Sequence, residues 1–149
     1  MSDKKPVDEK DATLIEFLKK NGRAKIGDIS RATDIPRATI FERINKLTES
    51  GIIRNFTVDL DYEKLGYSVT SYIMISYDPS SETKQEDLCV KLSRLENVIG
   101  VWIISGEWDI MILTVQRSIR EMSTFVVNTL RNMDGILRTE TFVVFQSFR

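Results

Sequence analysis

The 149 residues of this chain suffice for one ordinary domain or two small ones, and 42% hydrophobic with 29% charged residues is typical of a globular protein. The net charge of −1 gives no general attraction to nucleic acid. No apolar run reaches the roughly 20 residues that span a membrane, and residues 1–6 lack the apolar core of a signal peptide. We therefore expect a cytoplasmic protein. Histidine is absent and Cys89 is the only cysteine, which argues against an enzyme, a disulfide, a metal site or a bound cofactor.

Three short helices are predicted in the N-terminal third of the chain. The first begins after Asp8, a residue type that caps helices, and ends at Gly22. A second covers the apolar positions of residues 26–32, and a tight turn at 33–36 leads into a third helix that extends to about Ser50. Three helices with a tight turn between the last two form a helix-turn-helix motif, here of the winged type.

The third helix has a polar face that can contact DNA bases. Its buried direction is defined by Ile40, Ile44 and Leu47, and the opposite face carries side chains that can pair with bases or touch thymine methyl groups. Arg43 projects only about 60° from the buried stripe, so we expect it to clamp the motif or to touch a phosphate. The candidate DNA-binding residues are Arg37, Ala38, Thr39, Phe41, Glu42, Arg43, Asn45 and Lys46.

The surroundings of this face favour DNA as its partner. A polar helix face taken alone is equally well explained as solvated surface. Residues 23–54, however, carry seven basic and four acidic side chains, whereas residues 67–149 carry eight basic and ten acidic ones. Three helices, a tight turn and a local excess of positive charge together indicate binding to double-stranded DNA.

The C-terminal part alternates strands and helices in the order βαββαβ, which is the order of a ferredoxin-like domain. We predict an α+β chain with the DNA-binding domain at residues 1–60, including a strand at 52–60, a linker at 61–66 and the ferredoxin-like domain at 67–149. Cys89, within an apolar helical stripe, is expected to be a small buried side chain. The strands are predicted at 69–77, 98–105, 109–115 and 136–146; one helix carries Leu88, Leu92 and Leu95, the other Ile119, Met122, Val126, Leu130 and Met133.

Six segments, spread in order along the chain, carry a specific pattern: Leu14–Leu18, Asn21–Arg23, Ile35–Leu47, Gly51–Ile53, Gly106–Asp109 and Leu137–Thr141. Together they resemble the Lrp/AsnC family of transcriptional regulators, also called feast/famine regulatory proteins. The resemblance implies a C-terminal domain that dimerises, builds tetramers or octamers, and binds amino acids between dimers. One departure is Pro36, where the family has a serine cap on the third helix, so we expect the cap to come from Asp34.

The hairpin turn at Gly106–Asp109, which matches the family's Gly-x-x-Asp element, is the candidate effector site. It offers backbone N–H groups beside a carboxylate, which suits the two charges of an amino acid. The alternative is an ordinary turn in which Asp109 bonds only to the backbone. Trp102 and Trp108 are assigned to interface packing rather than to stacking on the ligand. With the last-strand hydroxyls that the resemblance adds, the candidate residues are Gly106, Glu107, Trp108, Asp109, Thr139 and Thr141.

Oligomerisation is expected because the sheet has two apolar faces and helices for only one of them. On the last strand Thr139, Thr141, Val143 and Phe145 share one face, and Phe142 and Val144 the other. We therefore predict a homo-oligomeric, sequence-specific transcriptional regulator whose assembly or DNA binding is modulated by an amino acid. The alternatives are a DNA-organising protein that ignores ligands and an amino-acid-sensing subunit of a metabolic enzyme; the helix-turn-helix speaks against the latter.

Overall fold

The computed structural model describes residues 7–148, and the chain divides between Asp59 and Leu60 into two compact units. The N-terminal unit consists of helices, and the C-terminal unit of a sheet with helices on one face. Residues 1–6, where the absence of a signal peptide was inferred, lie outside the described part of the chain. Among residues 7–148, no helix combines the length and apolarity needed to cross a membrane.

The N-terminal unit is the predicted set of three helices: α1 (Glu9–Lys20), α2 (Ile26–Thr33) and α3 (Arg37–Glu49). Asp8 caps α1 through a reciprocal pair of hydrogen bonds with Asp11, which satisfies N–H groups that a helix start leaves free. The buried side chains that hold the three helices together are Leu14, Ile29, Ile35 and Ile40.

The turn between α2 and α3 is fixed by backbone conformation and one side-chain hydrogen bond. Asp34 adopts a left-handed conformation (φ 56°) that ends α2, and the Ser30 hydroxyl donates to the Ile35 carbonyl at 2.7 Å. Pro36 precedes α3, and no side-chain hydrogen bond caps this helix start. The expected cap from Asp34 is therefore wrong, because that residue is used to close the preceding helix.

The strand predicted at residues 52–60 is not formed. This segment has no regular secondary structure and leaves Ile52, Phe56, Val58 and Leu60 exposed. A strand needs a neighbour to satisfy its backbone groups, and the single chain provides none here. Residues 61–66, predicted as a linker, form a hydrogen-bonded turn in which the Leu65 N–H bonds to the Asp61 carbonyl.

The C-terminal unit has the predicted βαββαβ order, with a four-stranded antiparallel sheet in the order β2-β3-β1-β4. Its core lies between the sheet and the helices, where Ile73 and Ile75 meet Leu88, Leu92 and Leu130. The elements are β1 (Val69–Tyr77), α4 (Gln85–Ser93), β2 (Val98–Ile103), β3 (Ile110–Gln116), α5 (Ile119–Thr124) and β4 (Ile136–Val143).

The second helical segment is not the single regular helix that was predicted. It starts as α5 under the Ser118 cap, widens into a π-helix at Phe125–Thr129 and tightens into a 3-10 turn at Leu130–Asn132. The wider turn brings Phe125, Val126 and Leu130, at spacings of one and five, onto the buried side together. Apolar spacings of three and four could not distinguish this geometry from an α-helix.

Three predicted strand ends are one to three residues too long. β2 stops at Ile103, and β3 starts at Ile110 rather than at Asp109. β4 stops at Val143, although the Val144 N–H still bonds to the Thr70 carbonyl, and Phe145, predicted to lie on the sheet, is 98% exposed. Cys89, expected to be buried, is only partly so, although burial raises the pKa of its thiol.

Candidate functional site

One face of α3 is exposed along the whole helix, as the helical geometry predicted. Phe41, a large aromatic residue, is 56% exposed, and Ile40 and Leu47 on the opposite side are buried. Six of the eight candidate residues are exposed and therefore free to meet a duplex: Arg37, Ala38, Phe41, Glu42, Asn45 and Lys46. The other two, Thr39 and Arg43, are partly buried.

Arg43 ties α3 to the start of α1. Its Nη1 lies 2.7 Å from both carboxylate oxygens of Asp8 and 2.7 Å from Oδ1 of Asp11. The hydrogen bond from Arg43 lowers the pKa of the Asp8 carboxyl, and the two acids raise the pKa of the guanidinium. Arg43 thus makes the clamp that its position near the buried stripe predicted.

We call the exposed candidate residues of α3 the reading face.

Arg37 at the first turn of α3 folds back toward α2. A methyl group added at Gly27 would lie 3.4 Å from an Nη atom of Arg37, so the guanidinium passes directly over that glycine. This position places the guanidinium near the start of α3, where the positive end of the helix dipole points outward. The Arg37 guanidinium and the positive end of the α3 dipole therefore lie at the same end of the reading face.

The turn at Gly106–Asp109 connects β2 to β3 and is shaped by a glycine. Gly106 has φ 129°, which side chains rarely allow, and nothing lies near the position of its missing Cβ. Asp109 Oδ2 accepts a hydrogen bond of 2.8 Å from the Tyr77 N–H, at the point where the register of β1 with β4 shifts. One oxygen of this carboxylate is therefore engaged by the backbone, in line with the alternative interpretation of the turn.

Arg138 of β4 lies against this turn and was not among the candidate residues. Its guanidinium Nη2 is 3.3 Å from Glu107 Oε1, and its Cζ is 4.2 Å from the ring centre of Trp108. A stacked, paired arginine is well suited to exchange one carboxylate for another.

A cavity of about 400 Å³ opens beside Arg138 and is lined by Arg131, Ile136, Leu137, Arg138 and Thr139. The Thr139 hydroxyl is buried and has no hydrogen-bond partner among residues 7–148. Arg138 lies beside the turn, opposite Ser76 of β1. Thr139 and Thr141 lie opposite the buried Ile75 and Ile73, so their side chains are on the face with the helices and Arg138 is on the other face. Arg131 and Arg138 escaped the sequence analysis because only the strand register and the helix end bring them together.

The face of the sheet opposite the helices is open and apolar. The register places Tyr72 between Leu113 and Phe142, and these aromatic side chains are 37% and 48% exposed. Trp102 on β2 lies on the same face with its ring across Gly100, where a Cβ would come within 2.2 Å of the indole. The absence of a side chain at Gly100 therefore leaves room for the Trp102 indole. We call the surface formed by Tyr72, Trp102 and Phe142 the open sheet face.

Both units match known protein families. Residues 7–54 match the family described as winged helix-turn-helix DNA-binding, and residues 70–149 match the Lrp/AsnC ligand binding domain. The order of the two matches agrees with the two compact units of the chain. An N-terminal winged helix-turn-helix and a C-terminal α+β domain are thereby confirmed.

Relatives match nearly the whole chain and are regulators rather than enzymes. An uncharacterized HTH-type transcriptional regulator of Pyrococcus furiosus is 36% identical over 143 residues, covering 96% of this chain and 95% of the relative. The HTH-type transcriptional regulator FL11 of Pyrococcus horikoshii is 29% identical, covering 97% and 93%.

Solved structures share the fold. E. coli AsnC superposes with a TM-score of 0.80 at 26% identity, covering 95% of this chain and 93% of that one. A transcriptional regulator of Neisseria meningitidis, solved as a complex with L-Met, reaches a TM-score of 0.89 at 20% identity, covering 96% and 92%. The domain matches, the relatives and these structures agree, and the chain therefore belongs to the Lrp/AsnC family of transcriptional regulators.

Proposed function

We propose that this regulator reads DNA with α3 and that an amino acid, bound beside the Gly106–Asp109 turn, modulates its assembly or its DNA binding. The main observation in favour of the effector site is Arg138, a cation that contacts Glu107 and Trp108 and lines a cavity of about 400 Å³. A relative of the same fold was solved with L-Met, which supports an amino acid as the ligand class.

The candidate residues of α3 fall into two groups: those that recognise the DNA sequence by contacting bases, and those that position the helix by contacting phosphates. Asn45 is exposed, and its amide can pair with the two groups that adenine shows in the major groove. Glu42 can accept from cytosine, and Ala38, Phe41 and Thr39 can touch thymine methyl groups or nearby sugar atoms. The exposed Lys46 is assigned to a phosphate, Arg37 to a phosphate or a guanine, and Arg43 to holding the helix.

An amino acid fits the effector site by replacing an existing ion pair. Its carboxylate would take Arg138 from Glu107, and its ammonium would lie between Glu107 and the free oxygen of Asp109. The backbone of Gly106 and the ring of Trp108 complete the surroundings. Thr139 and Thr141 lie on the other face of β4 from Arg138, so we do not assign them to this ligand. Because both charges of the ligand are matched, binding leaves no charge unpaired.

Homo-oligomerisation through the open sheet face is part of the proposal. Exposed Tyr72, Trp102 and Phe142 on one surface form an apolar patch of a kind that monomers rarely expose. A dimer that assembles further into a tetramer or octamer would cover it and the exposed segment 52–60. Effector and DNA then influence one another only if each prefers a particular arrangement of the subunits.

Calorimetry of the full-length protein with each of the twenty amino acids, in the presence and absence of a preferred DNA site, tests this function. We expect saturable binding of at least one amino acid and an affinity that DNA changes by the same factor as the amino acid changes DNA binding. DNA binding with no amino-acid response up to about 10 mM would favour the ligand-independent DNA-organising protein. Amino-acid binding without DNA binding would favour the regulatory subunit of an enzyme.

A further inference from the structure

A second cavity, of about 370 Å³, lies at the other end of the sheet from the Gly106–Asp109 turn. Gln116 at the end of β3, Asn97 before β2 and the helical residues 120–129 bound it. The turn precedes β3 and Gln116 ends it, and the seven residues of that strand extend over about 20 Å. This cavity is therefore separate from the proposed effector site.

Gln116 gives the cavity an unsatisfied hydrogen-bond donor. The residue is only 1% exposed, and among residues 7–148 its Nε2 has no hydrogen-bond partner. Its Oε1 accepts a hydrogen bond of 2.8 Å from Asn97 Nδ2, so the amide is held with Nε2 as the free end. Buried polar groups are normally paired, and an orphaned one calls for a partner from outside the chain.

The opposite wall of the cavity is the π-helix Phe125–Thr129. A π-turn is rare and is frequently found at functional sites, because its extra residue reshapes the surface around it. Phe125 contributes an apolar surface to this wall, and Thr124 and Thr129 contribute hydroxyl groups. The cavity thus combines an apolar side with several hydrogen-bonding groups, as small-molecule sites do.

The cavity lining carries one cation, Arg120, and one anion, Glu121, so their formal charges cancel. Arg120 lines it and makes no ion pair within the described part of the chain. Its neighbour Glu121 already accepts a hydrogen bond of 2.9 Å from the Arg117 N–H and belongs to the cap of α5. A free cation beside a free amide donor suits an anion with oxygen acceptors, of which a carboxylate is the smallest organic example.

We infer that this cavity binds a small organic carboxylate, with a carboxylate oxygen accepting from Gln116 Nε2 and the negative charge facing Arg120. Its carbon skeleton lies against Phe125, and the threonine hydroxyls meet further polar groups of the ligand. The volume of the cavity is at the lower end of the range for small-molecule sites, which limits the ligand to a compact molecule.

The test is a titration of the full-length, ¹⁵N-labelled protein with acetate, succinate and 2-oxoglutarate, each added alone and matched in ionic strength with sodium chloride. We expect at least one of them to shift the side-chain amide signals of Gln116 and Asn97 saturably. Arg120→Ala should raise the Kd of that probe by about tenfold or more. Arg117→Ala, which removes a neighbouring arginine outside the cavity, should change it by less than about twofold.

Gln116→Leu is a second variant of nearly the same size, which removes the amide and should abolish binding while the protein stays folded. If that variant fails to fold, the comparison of Arg120→Ala with Arg117→Ala decides the question. The inference is overturned if no probe produces a saturable shift up to about 50 mM, or if both arginine variants weaken binding equally. It is also overturned if Arg138→Ala, at the proposed effector site, removes the shift at Gln116.

Discussion

Arg43 in α3 holds its Nη1 nitrogen 2.7 Å from both carboxylate oxygens of Asp8, the residue that caps α1 thirty-five positions earlier. The same nitrogen contacts Asp11, the other partner in that cap. One guanidinium therefore joins the start of the first helix to the middle of the third. The orientation of the reading face depends on this contact as well as on the buried apolar side chains.

Arg43→Ala should lower the thermal stability of the N-terminal unit because it leaves two acidic side chains without their cation. We expect the Tm of that unit to fall by about 5 °C in full-length protein, followed by circular dichroism. The matched control is Arg31→Ala, which removes an exposed pair with Asp28 and should change the Tm by about 1 °C or less. Equal effects of the two variants would show that Arg43 is only a surface arginine.

The same contact should make the stability of the N-terminal unit sensitive to acid. Because Arg43 lowers the pKa of Asp8 in the folded state, the contact stabilises the fold above the ordinary pKa of 3.8 and is lost as the pH falls through the lower folded value. Denaturant unfolding between about pH 6 and about pH 2.5 measures this loss.

Asp8→Asn is the control for that pH dependence, since asparagine also caps helices but does not titrate. The difference in stability between the two proteins should be largest above about pH 5 and should shrink toward low pH. A difference that stays constant over the whole range would mean that the Asp8 charge contributes nothing.

DNA binding should depend on two neighbouring residues of α3 in different ways. Asn45→Ala should cost roughly 1–3 kcal/mol on a preferred site and little on random DNA, because a base contact is removed. Lys46→Ala should weaken binding to both DNAs and reduce the salt slope by about one, because a phosphate contact is removed. Fluorescence anisotropy at several salt concentrations separates the two. Site preference that survives Asn45→Ala would place the base contacts elsewhere.

Effector binding should depend on Arg138 and Asp109. Arg138→Ala removes a charge-assisted hydrogen bond, worth about 1.5–3 kcal/mol, so the affinity for the amino acid should fall about tenfold to a hundredfold. Asp109→Asn should weaken it comparably, while the amide oxygen still accepts from the Tyr77 N–H and preserves the turn.

Arg94→Ala, at an exposed arginine that ends α4, is the matched control and should leave affinity unchanged. Calorimetry measures the three variants, and basal DNA affinity should be the same in all of them. Unchanged amino-acid affinity in both Arg138→Ala and Asp109→Asn would move the effector away from this turn.

Gly100→Ala should weaken subunit assembly without a charge change. The added methyl group would lie 2.2 Å from the indole of Trp102, so the ring must leave its place on the open sheet face. We expect at least a tenfold rise in the dimer dissociation constant, about 1.4 kcal/mol, by analytical ultracentrifugation. Gly22→Ala, at a glycine in the N-terminal unit with only one ordinary contact, serves as the control. Assembly equal to that of the wild type would argue that this face is not the interface.

The helices and the βαββαβ order were predictable because they depend on local periodicity. Leu14, Ile29 and Ile40, one on the apolar stripe of each of the three helices, are all buried. The exposed side of α3 followed from the same helical geometry. The strand at 52–60 was wrong because pairing depends on a neighbour that the local sequence does not contain. The π-helix was missed since its apolar spacing also fits an α-helix.

A candidate site was predictable from the sequence only where all of its residues lie on a single helix or strand. The reading face lies on a single helix, so its residues could be chosen by angle. Arg138 belongs to the proposed effector site only because β4 runs beside the turn at Gly106–Asp109. Gln116 is notable only because its Nε2 has no hydrogen-bond partner among residues 7–148. Such contacts between distant residues depend on how the strands and helices pack, and the spacing of residues along the chain does not reveal them.

The missing cap on α3 has a consequence for the free and bound states of the protein. With Pro36 before the helix and no side-chain acceptor there, the N–H groups of Arg37, Ala38 and Thr39 have no partner among residues 7–148. Such groups favour an anion, and the DNA backbone supplies phosphate oxygens of that kind. The helix that we propose to contact the duplex therefore lacks a complete cap in the free protein. A DNA phosphate would supply that cap, so DNA binding and the order of this helix would rise together.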